Sequence, residues 1–264
     1  MAEIICALCQ DTGWIQEESA GRVVVKRCRC FQEKQDRLLL EKANIPKRYQ
    51  NCSFVNFDIV FESQTGPNRK LNESLKDALK ISKKFAENFP VQEIGLLFVG
   101  PPGVGKTHLA VAILRELIQK KSVPCLFYDF RDLIRDIQST FTPDSVISES
   151  DILAPVFENQ VLVLDELGAK RSSAWVEETI FYIINHRYNQ KKLTVFTSNF
   201  LDTSDEEDSR PRSFKKSAQN EEGDDTLVDR IGYRLRSRIY EMCKVVKMDG
   251  DDYRKFAKQA SYKF

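Results

Sequence analysis

The stretch GPPGVGKTH, residues 100–108, decides the fold of this chain. It matches the pattern G-x-x-x-x-G-K-[ST] and stands between an apolar segment, IGLLFVG, and an amphipathic segment, KTHLAVAILRELIQKK. A glycine-rich turn between a strand and a helix presents backbone N–H groups to phosphate oxygens, and the lysine brings a positive charge to the same place. The sequence therefore predicts a nucleoside triphosphate site at the start of this helix.

Each part of the phosphate loop has a predicted role. The glycines let the backbone turn its N–H groups inward, Lys106 contacts the β- and γ-phosphates, and Thr107 offers a hydroxyl to Mg²⁺. The predicted nucleotide-binding loop consists of Gly100, Pro101, Pro102, Gly103, Val104, Gly105, Lys106, Thr107 and His108.

Two further segments predict the hydrolytic half of the site. VLVLDELGA, residues 161–169, is predicted to contain a buried strand. Asp165 at the end of this strand is placed to hold Mg²⁺, and Glu166 directly after it is placed to deprotonate an attacking water. This acidic pair, without the guanine-reading pattern N-K-x-D, favours hydrolysis of ATP. TVFTSN ends at Asn199, which we expect on a strand between the other two, where it orients the water or contacts the γ-phosphate. Ser-Asn is also a common turn pair, and that interpretation stays open.

The rest of the chain after residue 60 alternates between strand and helix patterns. CLFYDF, VLVLDEL and LTVFTSN are strand-like and are separated by helical segments such as RDLIRDIQSTF and WVEETIFYIINHRYNQ. Such alternation is typical of an α/β fold with a parallel sheet covered on both faces. A long helix is expected within residues 68–89, and the polar segment 201–225 is predicted to be a mobile surface loop.

Composition limits the classes of function. With 264 residues and a net charge of +1, the chain has no global positive field, so nucleic-acid binding would require a local basic patch. It has no run of 18 apolar residues, and its first residues lack a basic region followed by an apolar stretch. We therefore expect no membrane span and a cytoplasmic location.

Four of the seven cysteines cluster near the start of the chain. Cys6, Cys9, Cys28 and Cys30 form C-x₂-C-x₁₈-C-x-C, with the strand-like pieces GWIQ and RVVVKR between the two pairs. Four thiolates gathered by a hairpin suit tetrahedral Zn²⁺, although free or redox-active thiols and an iron–sulfur cluster remain alternatives. The predicted organisation is a zinc-binding module at 1–35, a helical linker at 36–59 and an ATPase domain at 60–264.

An arginine-rich segment stands near the end of the chain. In RIGYRLRSRIYEM, residues 230–242, Arg230, Arg234 and Arg238 fall four residues apart, so a single continuous helix would line them on one face. A neighbouring apolar face is predicted to pack the helix onto its own domain, and the arginines then face outward toward an anion. The apolar residues are Ile231, Leu235, Ile239 and Met242.

Taken together, these segments resemble an AAA+ ATPase over residues 60–256. NIPKRYQNCSFVNFD, GPPGVGKTHLAVAI, FYDFRDLI, VLVLDELGA and RIGYRLRSRIYEM narrow the resemblance to the DnaC/DnaI-type replicative helicase loaders and their relatives, the IstB-type transposition ATPases. The resemblance implies an AAA+ P-loop domain with a parallel five-stranded sheet, preceded here by the small zinc-binding module.

The resemblance also implies partners and further site residues. It implies an ATP-bound oligomer in which an arginine of one subunit reaches the next subunit's γ-phosphate, here Arg238 with Arg234 as the second candidate. It places a sensor arginine at Arg254, single-stranded DNA along a segment near residues 130–150, and a hexameric replicative helicase on the N-terminal module. The implied function is an ATPase that loads this helicase onto single-stranded DNA. The alternatives are a transposition helper that binds duplex DNA and a transposase, and a non-catalytic adaptor that binds ATP to fix its shape.

Overall fold

The computed structural model describes residues 6–19, 22–59, 72–142, 145–169, 173–201 and 226–254. The strands are β1 (Trp14–Ser19), β2 (Arg22–Arg27), β3 (Gly95–Val99), β4 (Cys125–Asp129), β5 (Val161–Asp165), β6 (Leu193–Ser198) and β7 (Cys243–Lys247). The helices are α1 (Arg29–Lys42), α2 (Glu73–Asn88), α3 (Lys106–Lys121), α4 (Phe130–Ser139), α5 (Glu149–Glu158), α6 (Ala174–Asn189), α7 (Leu227–Ile231) and α8 (Tyr233–Met242), with a 3₁₀ turn at Lys47–Tyr49.

The larger sheet has the strand order β4-β5-β6-β3-β7, and each neighbouring pair is parallel. β3, β5 and β6 are buried along their whole length, which explains why their sequences are continuously apolar. The predicted five-stranded parallel sheet is therefore confirmed. The segments that form β7 and α5 were not recognised in the sequence, because each is short and mixes polar with apolar residues.

The two faces of the sheet bury separate hydrophobic clusters. Alternate strand residues such as Phe98 and Val163 pack with α2 and α3 on one face. Their neighbours, such as Leu97 and Leu162, pack with the helices from α4 to α8 on the other. This two-residue alternation follows from the pleat of a strand and gives the three-layered arrangement that the sequence predicted.

α2 begins later than the sequence pattern indicates. Asn72 caps the helix by accepting a hydrogen bond from the Leu75 N–H at 3.2 Å, so the helix starts at Glu73. Leu71, which the apolar pattern would include, lies outside the described residues.

The chain after α1 packs into the core of the ATPase domain. Ala43, Cys52, Phe54 and Phe57 belong to the cluster that covers one face of the sheet. The Phe127 N–H donates to the Ala43 carbonyl at 2.8 Å, so this segment covers the free edge of β4. The predicted boundary at residue 35 falls inside α1. The division into module, linker and domain stays a prediction.

Arg187 anchors the N-terminal ends of β5 and β6 from inside the protein. Its side chain is fully buried, and its guanidinium donates to the Thr194 hydroxyl and to four backbone carbonyls, those of Val156, Asn159, Gln160 and Leu193. Burial lowers the pKa of Arg187 to about 9. The hydrogen bonds offset the loss of hydration and hold the start of both strands in register.

Two further sequence predictions concern the loop at 201–225 and membrane-spanning segments. All but Leu201 of the predicted 201–225 loop lies outside the described residues. Among the residues that the structure describes, no helix has both the length and the apolar composition needed to cross a lipid bilayer.

Candidate active site

A cavity of about 390 Å³ opens at the carboxyl ends of the parallel strands. The phosphate loop from Pro102 to His108 forms one wall, and Glu166, Thr197 and Asn199 line the cavity from the ends of β5 and β6. Cavities of this volume hold ligands the size of a nucleotide. The topology thus brings together the three motifs that the sequence separates by many residues.

The phosphate loop turns where the sequence predicts. Gly105 has φ 100°, and an added Cβ there would lie 2.6 Å from the ring of Phe57, so only glycine fits. Lys106 is 6% exposed, and its ammonium donates to the carbonyls of Gly100 at 2.7 Å and Pro101 at 2.8 Å. Burial lowers the pKa of Lys106 to about 8. A bound triphosphate would add the negative charge that keeps this ammonium protonated.

Thr107 and Asp165 lie side by side, as predicted for a Mg²⁺ site. The Thr107 hydroxyl donates to Asp165 Oδ1 at 2.9 Å, and the Thr197 hydroxyl donates to the same oxygen at 2.6 Å. Burial of the carboxyl, which is 4% exposed, raises the pKa of Asp165 to about 6. Hydroxyl and carboxylate oxygens are the ligands that Mg²⁺ prefers, so this pair fits the ion.

Glu166 and Asn199 both line the cavity. The Glu166 backbone has φ 56°, and its N–H donates to Thr197 Oγ1 at 3.0 Å. β6, which carries Thr197 and leads to Asn199, lies between β5 and β3, as the sequence predicted. Thr197 was not predicted, although a polar residue near the end of an otherwise apolar strand is a usable signal.

Another part of the cavity lining comes from a segment that the sequence presented as a linker. Arg48, Tyr49 and Phe57 line the cavity beside the phosphate loop. His108 packs edge-on against Phe57 at 5.4 Å, and its Nε2 lies 2.9 Å from the Ser53 carbonyl. Nothing in the sequence NIPKRYQNCSFVNF indicated that its aromatic residues fold back onto the site.

The C-terminal segment also contacts the phosphate loop. The Tyr253 N–H donates to the Gly103 carbonyl at 3.2 Å, and Arg254 lines the cavity with its Nε 3.4 Å from Asp252 Oδ1. Arg254 thus lies in the cavity wall, and its contact with the nucleotide's phosphates stays a prediction.

The arginine-rich segment is two helices, so the prediction of one continuous helix is wrong. Gly232, with φ 79°, separates α7 from α8, and the Gly232 N–H closes α7 by donating to the Val228 carbonyl. Arg230 therefore leaves the row and lies over the Phe200 ring at 4.4 Å. The apolar face packs inward as predicted, with Ile231, Leu235, Ile239 and Met242 buried.

Arg234 and Arg238 remain one turn apart on α8, and both contact α6. Arg234 lies 4.6 Å from the Phe181 ring and 3.4 Å from Glu178, with 72% of its side chain exposed. Arg238 lies 4.2 Å from the Tyr188 ring and 3.2 Å from Glu241, with 27% exposed. Neither lines the cavity of its own chain, and the role of either one toward a neighbouring subunit stays a prediction.

The four clustered cysteines come together at the end of the hairpin. Their sulfur atoms lie within 4.8 Å of one another, with Cys6 and Cys28 at 3.7 Å and Cys9 and Cys30 at 3.2 Å. A tetrahedral ion with Zn–S bonds of 2.3 Å needs sulfur atoms about 3.8 Å apart, so the donor set fits Zn²⁺. Cys28 caps α1 and Cys30 lies in its first turn, which joins the cysteine cluster directly to this helix.

A phosphate loop, a Thr–Asp pair, an adjacent glutamate and a polar strand end on this sheet define a P-loop ATPase of the AAA+ type. The chain belongs to the family of IstB-like ATP binding proteins, whose family model matches residues 32–261. The resemblance that the sequence motifs indicated is thereby confirmed at the level of the family.

Individual relatives are helicase loaders. The chain is 33% identical over 162 residues to "Replicative helicase loader DnaC" of Buchnera aphidicola subsp. Acyrthosiphon pisum, covering 61% of each protein. It is 31% identical over 159 residues to the loader of the same name in Escherichia coli K12, covering 60% of this chain and 59% of the relative. The chain thus spans about three fifths of the length of the curated relatives that it matches.

Solved structures support the same grouping. A crystal structure of the DnaC helicase loader matches with a TM-score of 0.57 and 34% identity, covering 77% of this chain and 99% of that one. A crystal structure of DnaI matches with a TM-score of 0.54 and 21% identity, covering 79% of this chain and 94% of that one. The second similarity concerns the fold alone.

Proposed function

We propose that this chain is an AAA+ ATPase that loads a replicative DNA helicase onto single-stranded DNA, acting as an ATP-bound oligomer. The observation that carries the proposal is the 34% identity that extends over 99% of the solved DnaC loader chain. Lys106, Thr107 and Glu166 line one cavity and Asp165 accepts a hydrogen bond from Thr107, an arrangement that supports hydrolysis as part of that activity.

In the proposed reaction, water attacks the γ-phosphate of ATP. Lys106 neutralises charge on the β- and γ-phosphates, and Arg254 adds positive charge from the cavity wall. Thr107 and Asp165 would hold Mg²⁺, and the bound ion would supply further neutralisation of phosphate charge. Glu166 accepts the proton of the water, and Asn199 orients that water.

A neighbouring subunit completes the site in this proposal. Arg238, with Arg234 as the second candidate, would contact the γ-phosphate held by the next chain. Arg238 must first leave Glu241, an exchange of one anion for a more highly charged one. An arginine supplied by a neighbour typically accelerates hydrolysis about 10³- to 10⁵-fold, so an isolated chain should turn over slowly.

The N-terminal module is the proposed docking element for the helicase. Val23, Val24 and Val25 are all exposed on β2, and Trp14 is exposed on the paired strand. Consecutive exposed valines on a two-stranded hairpin are unusual for a free surface and are typical of a protein interface. Zn²⁺ bound by the four cysteines would give so small a module a fixed shape.

Replacing Glu166 by Gln tests the catalytic proposal. Glutamine keeps the size of the side chain but cannot accept the proton, so ATP binding should persist while steady-state turnover falls at least 100-fold. Unchanged turnover in Glu166→Gln would instead favour the non-catalytic adaptor.

Native mass spectrometry tests the loader proposal. ATP-bound protein mixed with a hexameric replicative helicase should give a complex of defined stoichiometry, and a filter-binding assay should show preference for single-stranded over duplex DNA. A protein that ignores the helicase and prefers duplex DNA would contradict loading.

A transposition helper that binds duplex DNA and a transposase is the second candidate, because the matching family model is that of the IstB-like proteins. The same binding assay separates the two functions, and it uses the full chain with its N-terminal module in every sample.

A further inference from the structure

Thr197 joins the two acidic residues of the site through a single hydroxyl group. Its Oγ1 donates to Asp165 Oδ1 at 2.6 Å and accepts from the Glu166 N–H at 3.0 Å. An ionised carboxylate can only accept and a backbone N–H can only donate, so the role of the hydroxyl in each bond is fixed. The two bonds form a chain that runs from the backbone of Glu166 to the carboxylate of Asp165.

The same residue holds the turn that follows β5. The backbone pairing of β5 with β6 ends at Leu164 and Phe196, and Thr197 extends the connection beyond it. Its hydroxyl accepts from Glu166, and its carbonyl accepts from the Leu167 N–H at 2.8 Å. Glu166 has a φ of 56°, which is costly for this residue type and persists only where neighbouring bonds hold it.

Thr197 gives these bonds a rigid support. It is 1% exposed and belongs to β6, which is buried along its whole length in the centre of the sheet. Thr107, which also donates to Asp165 Oδ1, belongs instead to the start of α3 at the phosphate loop. Thr197 therefore fixes the Asp165 carboxylate relative to the sheet, whereas Thr107 connects it to the loop that would bind the nucleotide.

We infer that Thr197 is a positioning residue that orients the Asp165 carboxylate for Mg²⁺ and holds the turn that presents Glu166. This inference rests on the proposed roles of Asp165 and Glu166. A group that hydrogen-bonds to a metal ligand fixes the ligand's orientation, and its loss typically costs about 10- to 100-fold in metal affinity or activity. Valine at this position would fill nearly the same space but would leave both bonds unmade.

Thr197→Val tests the inference through the affinity for a fluorescent ATP analogue, measured at increasing concentrations of free Mg²⁺. The Mg²⁺ concentration that gives half of the effect should rise about 10- to 100-fold, and steady-state kcat should fall by a similar factor. The affinity in EDTA should equal that of the unmodified protein, whereas a general distortion of the cavity would lower it. Thr197→Ser, which keeps the hydroxyl, should restore both the Mg²⁺ dependence and kcat.

Thr194→Val is the matched control. Thr194 is equally buried at the other end of β6, and its hydroxyl accepts from Arg187 Nε at 3.0 Å. The variant should unfold at a lower urea concentration, because Arg187 loses a buried partner, while its Mg²⁺ dependence and kcat stay unchanged. An equal loss of Mg²⁺ dependence in Thr194→Val would assign the effect to the packing of the strand and overturn the inference.

The Asp165→Asn background separates this inference from the proposed function. If Thr197 acts through Asp165, adding Thr197→Val to Asp165→Asn should not weaken the Mg²⁺ dependence further. A further loss in the double variant, or an unchanged Mg²⁺ dependence in Thr197→Val alone, would overturn the inference and leave the metal assignment standing. An unchanged Mg²⁺ dependence in Asp165→Asn alone would overturn both.

Discussion

Asp165 is a residue at which stability and activity make opposite demands. Its carboxyl is buried beside two threonine hydroxyls, and burial raises its pKa from the usual 3.8 to about 6. At neutral pH the folded protein therefore holds an ionised carboxylate that would be better hydrated in the unfolded chain. In the proposed site the same negative charge would bind Mg²⁺, a role that would account for a destabilising group in the core.

We expect Asp165→Asn to raise the free energy of unfolding by about 1–3 kcal/mol at pH 7.5 while abolishing ATP turnover. Because the folded pKa is raised, Asp165 favours the folded state below the unfolded pKa, and that contribution is lost as pH rises through about 6. The difference between the two proteins should thus shrink as the pH falls below 6. Urea unfolding of both nucleotide-free proteins at several pH values measures this difference in the free energy of unfolding.

Asp129→Asn is the control for this measurement, because it makes the same chemical change on the neighbouring strand and asparagine still caps α4. Its free energy of unfolding should stay within about 0.5 kcal/mol of the original. An Asp165→Asn protein that is less stable at pH 7.5 would show that its hydrogen bonds outweigh the burial of charge.

At the scale of elements, we expect the hairpin β1–β2 to depend on the cysteine cluster. The hairpin has few buried side chains, and its remaining stabilisation comes from contacts such as the Arg27 guanidinium stacked at 3.8 Å over Trp14 and 4.1 Å over Phe31. Apolar burial of this extent cannot hold so small a unit. α1, by contrast, continues into the ATPase core and is anchored by the Asp36 contact to the Ser122 hydroxyl at 2.6 Å.

Cys9→Ser should therefore lose bound zinc and protection of the hairpin while leaving the ATPase core intact. We expect about one zinc per chain in the original protein and a substoichiometric amount in the variant, measured by elemental analysis. Hydrogen exchange should accelerate at amides 14–27, and ATP affinity should not change. Cys243→Ala, which removes a buried thiol far from the cluster, should keep its zinc. Full zinc content in Cys9→Ser would contradict the four-cysteine site.

The same scale accounts for the one element that the sequence pattern misassigned. Arginines at 230, 234 and 238 predict one helical row, but Gly232 interrupts it. The Arg234 and Arg238 side chains now join α8 to α6 by stacking on the rings of Phe181 and Tyr188, and Arg234 also pairs with Glu178 of α6. Periodicity predicts which residues share a face only while the helix is continuous, and a single glycine with positive φ ends that continuity.

At the scale of the whole molecule, our proposal is that the site is shared between subunits. Turnover per subunit should rise with protein concentration, and Arg238→Ala should lower it at least tenfold without changing ATP affinity. Mixing Arg238→Ala with Glu166→Gln is the decisive measurement. Glu166→Gln subunits bring an intact Arg238 to the competent sites of their neighbours, so the mixture should hydrolyse ATP faster than either variant alone.

Arg234→Ala and Arg230→Ala, tested in the same way, identify which arginine serves the neighbour. If no mixture recovers activity, or if turnover per subunit is independent of concentration, the site is complete within one chain.

The sequence by itself determined the class of this protein. The phosphate loop, Asp165, Glu166, the alternating strands and the cysteine spacing are local patterns, because each needs only residues close together in the chain to state its chemistry. The meeting of the phosphate loop, Glu166 and Asn199 at one cavity followed from the rule that parallel strands place their carboxyl ends at one edge.

Only the tertiary structure decided the rest. The folding of Tyr49 and Phe57 over the phosphate loop, the bridging of Asp165 and Glu166 by Thr197, and the contact of Arg131 with Glu166 join residues that are distant in the chain. Such contacts depend on strand order and on how helices pack across a sheet, and neither is written in local periodicity. The phosphate loop GPPGVGKTH indicates a triphosphate site, but the surrounding fold determines which other residues line that site.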